Sequence, residues 1–256
     1  MEALKTVKFF VLAAAVSTLW VGCDKDNSSE TTRVKVRMTD APGNYEQVNV
    51  DVTGVEFKMN NSTTVNLNVT EGVYNLLDFV NGLDTLIASA DIESGTLSQV
   101  RLILGPNNSV KVDGEIYPLS TPSAAQSGLK LNMNSVLTPG VDYNLLLDFD
   151  ANLSIVNTGN GKYQLKPVIR AISEATTGSV HGSIVTALAL PTLVSVSNGT
   201  EIYTSVTDVN GNFLVRGLAA GTYTVTVTPQ LPFLPVTITN VNVTIGNMTA
   251  LTAIAF

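Results

Sequence analysis

Two aspartates two residues apart are the strongest chemical signal in this chain of 256 residues. Asp148 and Asp150 belong to an alternating segment, and residues two apart on a β-strand point to the same face. Together with Asn152, their oxygens could bind Ca²⁺ or a sugar hydroxyl, but a calcium ion takes six to eight oxygens. Asp40 or Asp142 would have to help. The alternative interpretation is a solvated strand face.

Sequence motifs for catalysis are absent. Neither a Gly-x-Ser-x-Gly elbow nor a phosphate-binding Gly-Lys-Ser loop occurs. One Cys and one His exclude a cysteine-ligated zinc site and any histidine cluster. His181 lies in an alternating segment and is interpreted as structural. Residues 208–212 begin like a calcium loop, but Ala219 stands where a bidentate Glu is required. We predict a protein that is not an enzyme and has no metal or other cofactor.

The amino-acid composition limits the kinds of binding partner that we expect. Lys and Arg total 14 against 21 Asp and Glu, which gives a net charge of -7. This balance argues against a phosphate-binding surface, so nucleic acid is not an expected partner. Only 14% of residues are charged and 45% are hydrophobic, which excludes disorder driven by charge.

The N-terminal segment has the pattern of a signal peptide. A charged start is followed by an apolar run that is shorter than a membrane span and stops at Trp20-Val21-Gly22-Cys23. These last residues resemble the bacterial lipobox. The resemblance implies that residues 1–22 are removed and that Cys23 carries acyl chains such as palmitate. Two or more such chains would form a stable membrane anchor. The alternative is an uncleaved anchor that ends at Cys23.

The polar residues that follow favour a flexible linker, so residues 23–32 are interpreted as the lipidated Cys and its tether. Acidic residues directly after the Cys resemble the surface-export signal of some Gram-negative lipoproteins, although Asp at that place signals inner-membrane retention in others. We expect an outer-membrane lipid anchor at the cell surface of a Gram-negative bacterium, with the periplasmic face as the alternative. Asp84-Thr85-Leu86 is similar to an O-glycosylation acceptor with Thr85 as its site; a helix N-cap is the other interpretation.

Alternation with a period of two dominates the chain from Arg33 onward, as in Val34, Val36 and Met38, and predicts an all-β protein. The Asp113-Gly114 pair and the glycine-rich segment between Ile155 and Tyr163 predict tight hairpins. One helix is expected near residues 83–90. Charge nearly disappears after residue 174, so we predict two tandem antiparallel β-sandwich domains over residues 33–174 and 177–256, after the lipoprotein signal peptide.

Both predicted domains resemble known families. Residues 36–42, 95–104, 145–156 and 165–170 are similar to domain of unknown function 4382, which implies an exported β-rich domain and no established activity. Residues 178–184, 207–213 and 217–225 resemble the carboxypeptidase regulatory-like, transthyretin-type domain. That resemblance implies a small seven-stranded sandwich that supports or spaces other domains without catalysis.

Two functions fit these features. The first is a membrane-tethered, non-catalytic binding or adhesion module for a glycan or protein ligand. The second is a structural or accessory subunit of an envelope assembly, pilus-like or transporter-associated, whose exposed strand edges take partner strands.

Overall fold

The computed structural model describes residues 31–121 and 128–256, and within these ranges the chain is almost entirely β-structure, which confirms the predicted fold class. Helical structure in the described ranges is limited to one short helix, α1 (Ala151–Ser154), and to 3₁₀ turns at Leu76–Phe79, Glu174–Thr176 and Ala187–Ala189. None of the helices in these ranges is long and apolar enough to cross a membrane.

The first domain contains two sheets packed over one core. A five-stranded sheet has the order β14-β11-β1-β6-β4, and a nine-stranded sheet contains the others. The predicted alternation is confirmed: Val34, Val36 and Met38 are fully buried in the core. The strands are β1 (Thr31–Ala41), β2 (Gln47–Met59), β3 (Thr64–Asn66), β4 (Asn68–Val69), β5 (Gly72–Asn75), β6 (Thr85–Glu93), β7 (Gly95–Leu104), β8 (Ser109–Val112), β9 (Glu115–Ser120), β10 (Leu129–Leu137), β11 (Tyr143–Asp150), β12 (Ile155–Gly159), β13 (Lys162–Leu165) and β14 (Ile169–Ser173).

The second domain is a smaller sandwich of seven strands with its own core. A three-stranded sheet, β18-β15-β21, faces a four-stranded sheet, β17-β16-β19-β20. Phe213 and Tyr223 are the largest fully buried side chains in its core, each 1% exposed. The strands are β15 (Gly178–Ser183), β16 (Leu193–Ser197), β17 (Ile202–Val206), β18 (Asn212–Leu218), β19 (Gly221–Thr228), β20 (Val236–Val243) and β21 (Met248–Ala250).

Three of the four sheets contain one parallel pair each, which departs from the antiparallel arrangement that we expected, whereas the four-stranded sheet is antiparallel throughout. Strand β1 pairs in parallel with β11 and antiparallel with β6. Two further pairs, β13 with β9 and β15 with β21, are also parallel. Alternation shows which residues face the core, but it carries no information about which strands become neighbours or in which direction.

Both predicted hairpins form, whereas the predicted helix does not. Asp113 and Gly114 have φ values of 51° and 81°, and Asn160 and Gly161 have 53° and 68°, as a turn with two left-handed residues requires. Residues 85–93 form β6 instead of a helix. This segment pairs with β1 over eight register positions, and that pairing overrides its weak helical pattern. Because no helix forms there, the interpretation of Asp84-Thr85 as a helix N-cap is wrong.

Candidate functional site

Two of the residues singled out by sequence, Asp40 and Asp148, lie at the interface between the two domains. The outer face of the five-stranded sheet of the first domain packs against β17 and β18, the edge strands of the two sheets of the second domain. Leu146 and Ile172 project from that outer face and are nevertheless buried, with 1% and 7% exposure. A Cβ at Gly217 would approach the Ile172 side chain to 2.4 Å, so only glycine allows this contact.

Arg216 on β18 connects the two domains through charge. Its guanidinium donates to the carboxylates of Asp84 and Glu174 in the first domain and to the carbonyl of Gly82 at 3.2 Å. Asp84 is only 10% exposed and also accepts a hydrogen bond from Arg37. Burial lowers the pKa of Arg216, but the two carboxylates outweigh burial and raise it. One buried carboxylate thus joins an arginine from each domain.

A loop of the first domain covers the free backbone of β18. The Asn81 side-chain amide donates to the carbonyl of Asn212 at 3.1 Å, and its oxygen accepts from the backbone N–H of Leu214, also at 3.1 Å. An edge strand leaves such groups without partners in its own sheet. Asn81 has a φ of 60° and Gly82 a φ of 77°, so the sequence Asn-Gly allows the left-handed turn that presents this amide.

A second bridge between the domains contains Asp148. Its carboxylate accepts a hydrogen bond from Arg170, which lies opposite on β14. The guanidinium carbon of Arg170 lies 4.3 Å from the ring centroid of Tyr203 in the second domain. The pKa of Asp148 is raised, because burial outweighs the lowering effect of Arg170. Asp148 therefore orients an arginine that stacks across the interface.

The two other residues of the predicted cation site have different partners. Asp150 caps α1 and accepts from the backbone N–H of Leu153 at 2.9 Å. Asn152 accepts from the N–H of Asn44 and donates to the carbonyl of Pro42, so it holds the turn that follows β1. In the part of the chain that the structure describes, no three His, Cys, Asp or Glu side chains come together as a metal site needs. Cation binding therefore stays a prediction. The contacts described here give Asp150 and Asn152 structural roles.

Asp40 is the most perturbed acid of the first domain. It is 5% exposed, and its Oδ1 atom accepts from the backbone N–H of Ala151 at 3.0 Å, while Oδ2 has no partner among the described residues. Burial, with a smaller contribution from Asp148 and Asp150, raises the pKa of Asp40 to about 8. Asp40 is therefore protonated in the folded chain at neutral pH.

The other candidate residues are spread over the molecule. Thr85 opens β6 and is half-buried opposite Met38, directly after the ion-paired Asp84. His181 lies half-buried on β15. The Asp208 carboxylate closes its own loop by accepting from the N–H groups of Asn210 and Asn212. Cys23 and most of its linker lie outside the described residues.

An open groove of about 500 Å³ lies at one end of the interface. Pro42 to Asn44 and Leu77 form its wall in the first domain, and Pro191, Leu193 and residues 228–230 form the wall in the second. Loops of the second domain next to this groove expose Leu188, Leu231 and Leu234 by 82%, 90% and 79%. The residues that line the groove carry no charge, and the neighbouring loops expose apolar side chains.

The interface roles of Arg216, Asp84 and Asn81 were not predicted from the sequence. One signal was present: Arg216 is the only Lys or Arg after Arg170, and it stands in an alternating strand next to the buried Val215. A single cation in a segment of 86 residues needs an acidic partner if it is not in solvent, and the second domain has few. Nothing in the sequence shows that the partners come from the first domain.

The fold and this interface define a tandem β-sandwich protein whose two domains are joined by partly buried ion pairs. The model of DUF4382, a domain of unknown function, matches residues 31–167, more than half of the chain, and the chain belongs to that family.

No curated protein matches the chain. Among solved structures, the TIE protein of Bacillus anthracis is 13% identical with a TM-score of 0.23; the match covers 88% of this chain and 34% of that chain, so this chain spans about a third of its length. The minor pilin GBS52 of Streptococcus agalactiae is 10% identical, with coverage of 86% and 94% and a TM-score of 0.23. The major pilin BcpA of Bacillus cereus is 12% identical, with coverage of 88% and 70% and a TM-score of 0.23. At these scores no statement on function rests on the similarity.

Removing Arg216 should weaken the contact between the domains. Arg216→Met leaves Glu174 without its cation and Asp84 with Arg37 alone, and we expect a loss of about 2–4 kcal/mol in the free energy of unfolding. Differential scanning calorimetry should show the transition of the second domain separating from that of the first. The matched control is Arg33→Met, which breaks an ion pair with Asp91 whose partners are 57% and 52% exposed and should change the free energy of unfolding far less, because solvent screens this pair. Equal losses in the two variants would contradict the role given to Arg216.

The stability of the chain should depend on pH through Asp40. The unfolded chain loses this proton near pH 4, whereas the folded chain keeps it to about pH 8. Between these values each pH unit lowers the contribution of Asp40 to stability by about 1.4 kcal/mol. Asp40→Asn keeps the acceptor for Ala151 and cannot ionise, so its stability relative to the unchanged chain should rise from pH 4 to pH 8 and then level off. Urea denaturation across this pH range measures the free energy of unfolding of both chains, with the turn variant Asp113→Asn as the control. A constant difference between Asp40→Asn and the unchanged chain would show that Asp40 is ionised in the fold.

Proposed function

We propose that this chain is a membrane-tethered lipoprotein of the cell surface that acts as a non-catalytic binding or adhesion module. The observation that carries the proposal is the ion-paired interface around Arg216, which fixes the second domain on the first. An interface of this kind positions the second domain and provides no catalytic chemistry. The lipobox resemblance at Cys23 supports the tether.

The direction of β1 supports presentation at a distance from the membrane. The tether reaches the first domain at Thr31, where β1 begins, and β1 ends at Ala41, beside the groove between the domains. Eleven residues of strand span roughly 33 Å. The groove and the leucine-bearing loops therefore lie at the end of the first domain opposite the tether.

The chemistry of this distal end favours a protein ligand over a glycan. Residues 185–192 and 229–235 contain no charged residue, and Leu188, Leu231 and Leu234 are almost fully exposed. Exposed apolar clusters of this kind are typical of protein interaction sites. Sugars are recognised by polar groups together with exposed aromatic rings, and the one aromatic residue of these loops, Phe233, packs against Phe256.

A structural role in an envelope assembly is the second candidate. The observation that favours it is an uncharged strand at the open edge of the second domain, β20, which could accept a strand from another subunit.

The tether and its location can be tested in the producing cells. Protease added to intact cells should remove the region recognised by an antibody against residues 180–256, while a periplasmic protein survives. Cys23→Ser should move the chain out of the detergent phase, because the acylated residue is lost, whereas Ser28→Ala should not. Resistance to protease until the outer membrane is opened would favour the periplasmic alternative. Unchanged partitioning of Cys23→Ser would contradict the lipid anchor.

The distal leucines should determine binding. We expect the double variant Leu231→Ser and Leu234→Ser to lose binding to extracellular proteins that the unchanged chain retains, because it removes the apolar contact. The control is Leu153→Ser, which changes a leucine of similar exposure, 65%, on the first domain. Binding is compared on immobilised surface proteins and on a glycan array. Retention on glycans that persists in the double variant would place the ligand site elsewhere.

A further inference from the structure

Two Asn-Gly pairs of the first domain occupy turns of the same kind. Asn81 and Gly82 have φ values of 60° and 77°, and a backbone hydrogen bond of 3.2 Å between the flanking residues closes their turn. Asn160 and Gly161 have φ values of 53° and 68° in the hairpin between β12 and β13. Both are two-residue turns with a left-handed backbone. They form a matched pair in which the same dipeptide has the same conformation in different surroundings.

The second domain holds the first of these turns. The Asn81 side chain is bonded to the backbone of Asn212 and of Leu214 on β18. The carbonyl of Gly82 accepts a hydrogen bond from Arg216 at 3.2 Å. The asparagine of the turn between β12 and β13 is exposed to solvent. Contact between the domains thus fixes one of the two asparagine side chains and leaves the other accessible.

An Asn-Gly pair can react with itself, because glycine has no Cβ to shield the backbone nitrogen that follows the asparagine. The nitrogen of Gly82 loses its proton to water and forms a bond to Cγ of Asn81. The Cγ–Nδ2 bond breaks, ammonia leaves, and a succinimide ring remains. Water then opens the ring at one of its two carbonyl carbons and gives aspartate or isoaspartate, without oxidation or reduction. An asparagine side chain bonded to β18 is not free to turn toward that nitrogen.

We propose that Asn81 is a deamidation site that the second domain protects, so that it reacts when the two domains separate, and that its product then keeps them apart. This inference goes beyond the proposed function and does not rest on it. Because both hydrogen bonds of this side chain go to the second domain, separation of the domains releases it. The released turn then reacts like the exposed turn at Asn160-Gly161.

Both products of the reaction disfavour renewed contact between the domains. Aspartate at position 81 has no N–H to donate to the carbonyl of Asn212, and that oxygen would face a carboxylate instead. The new negative charge lies in a region where two carboxylates already share Arg216. Isoaspartate lengthens the backbone before Gly82, where even a Cβ would lie 2.6 Å from the Leu214 side chain. A chain that has opened and reacted therefore stays open.

The test follows deamidation of the full-length chain in detergent micelles by peptide mass spectrometry, which detects the replacement of NH₂ by OH at each asparagine. At mildly alkaline pH, Asn81 should react roughly tenfold or more slowly than Asn160, because its rate follows the small population of open chains. Arg216→Met should raise the rate at Asn81 toward that at Asn160, whereas the control Arg33→Met should change neither rate. Equal rates at the two sites in the unchanged chain would overturn the proposal, and so would a slow rate at Asn81 that Arg216→Met does not change.

A third Asn-Gly pair distinguishes separation of the domains from unfolding. Asn210-Gly211 lies in the second domain, where Gly211 is buried and its N–H donates to the carbonyl of Asp208 at 3.0 Å. In Arg216→Met this pair should react as slowly as in the unchanged chain. If Asn81 and Asn210 accelerated to the same extent, the cause would be unfolding of the second domain, which contradicts the proposal.

The effect of the product is tested by introducing it directly. Asn81→Asp should separate the calorimetric transition of the second domain from that of the first, as expected for Arg216→Met. Asn160→Asp, the same change in the matched turn, should leave the two transitions as they are. Chains incubated until Asn81 has reacted should behave like Asn81→Asp. Transitions that stay together in both samples would show that the product does not keep the domains apart.

Discussion

The buried carboxylate of Asp84 is the interaction on which the arrangement of the two domains depends. It accepts hydrogen bonds from Arg37 of the first domain and from Arg216 of the second, and Glu174 takes the other side of the Arg216 guanidinium. Apolar contact alone would not fix the orientation, because Leu146 and Ile172 can pack against any smooth apolar surface. Ion pairs at low exposure are sensitive to geometry, since a displaced Arg216 guanidinium would leave Glu174 without its ion-pair partner and Asp84 with Arg37 alone.

Much of the fold could be predicted from sequence, because alternation and turn residues act locally. The buried valines of β1 and the two hairpins, at Asp113-Gly114 and at Asn160-Gly161, follow from rules that involve neighbours in the chain. The helix expected near residues 83–90 was wrong, since pairing with β1 is a long-range contact. The parallel neighbour of β1, more than a hundred residues away, leaves no local signal either.

The candidate site could be predicted only in part, for a related reason. Asp148 and Asp150 were found because two acids on one strand are visible in the sequence, but their partners were not visible. Arg170 lies 22 residues after Asp148, and the ring of Tyr203 belongs to the other domain. A charged residue on a strand face can bind a ligand or contact a second domain. The choice is decided by what packs on that face, which only the structure shows.

The position of β1 has a mechanical consequence for the first domain. This strand lies in the middle of its sheet, with β6 on one side and β11 on the other, and it is the strand that continues from the N-terminal segment. A pull between that segment and the far end of the molecule would act along β1, across the perpendicular hydrogen bonds to β6 and the slanted ones to β11. The two ladders would then share the load and would have to shear together, whereas a strand at a sheet edge can be peeled away one bond at a time. The first domain is thus built to resist tension applied through its N-terminus.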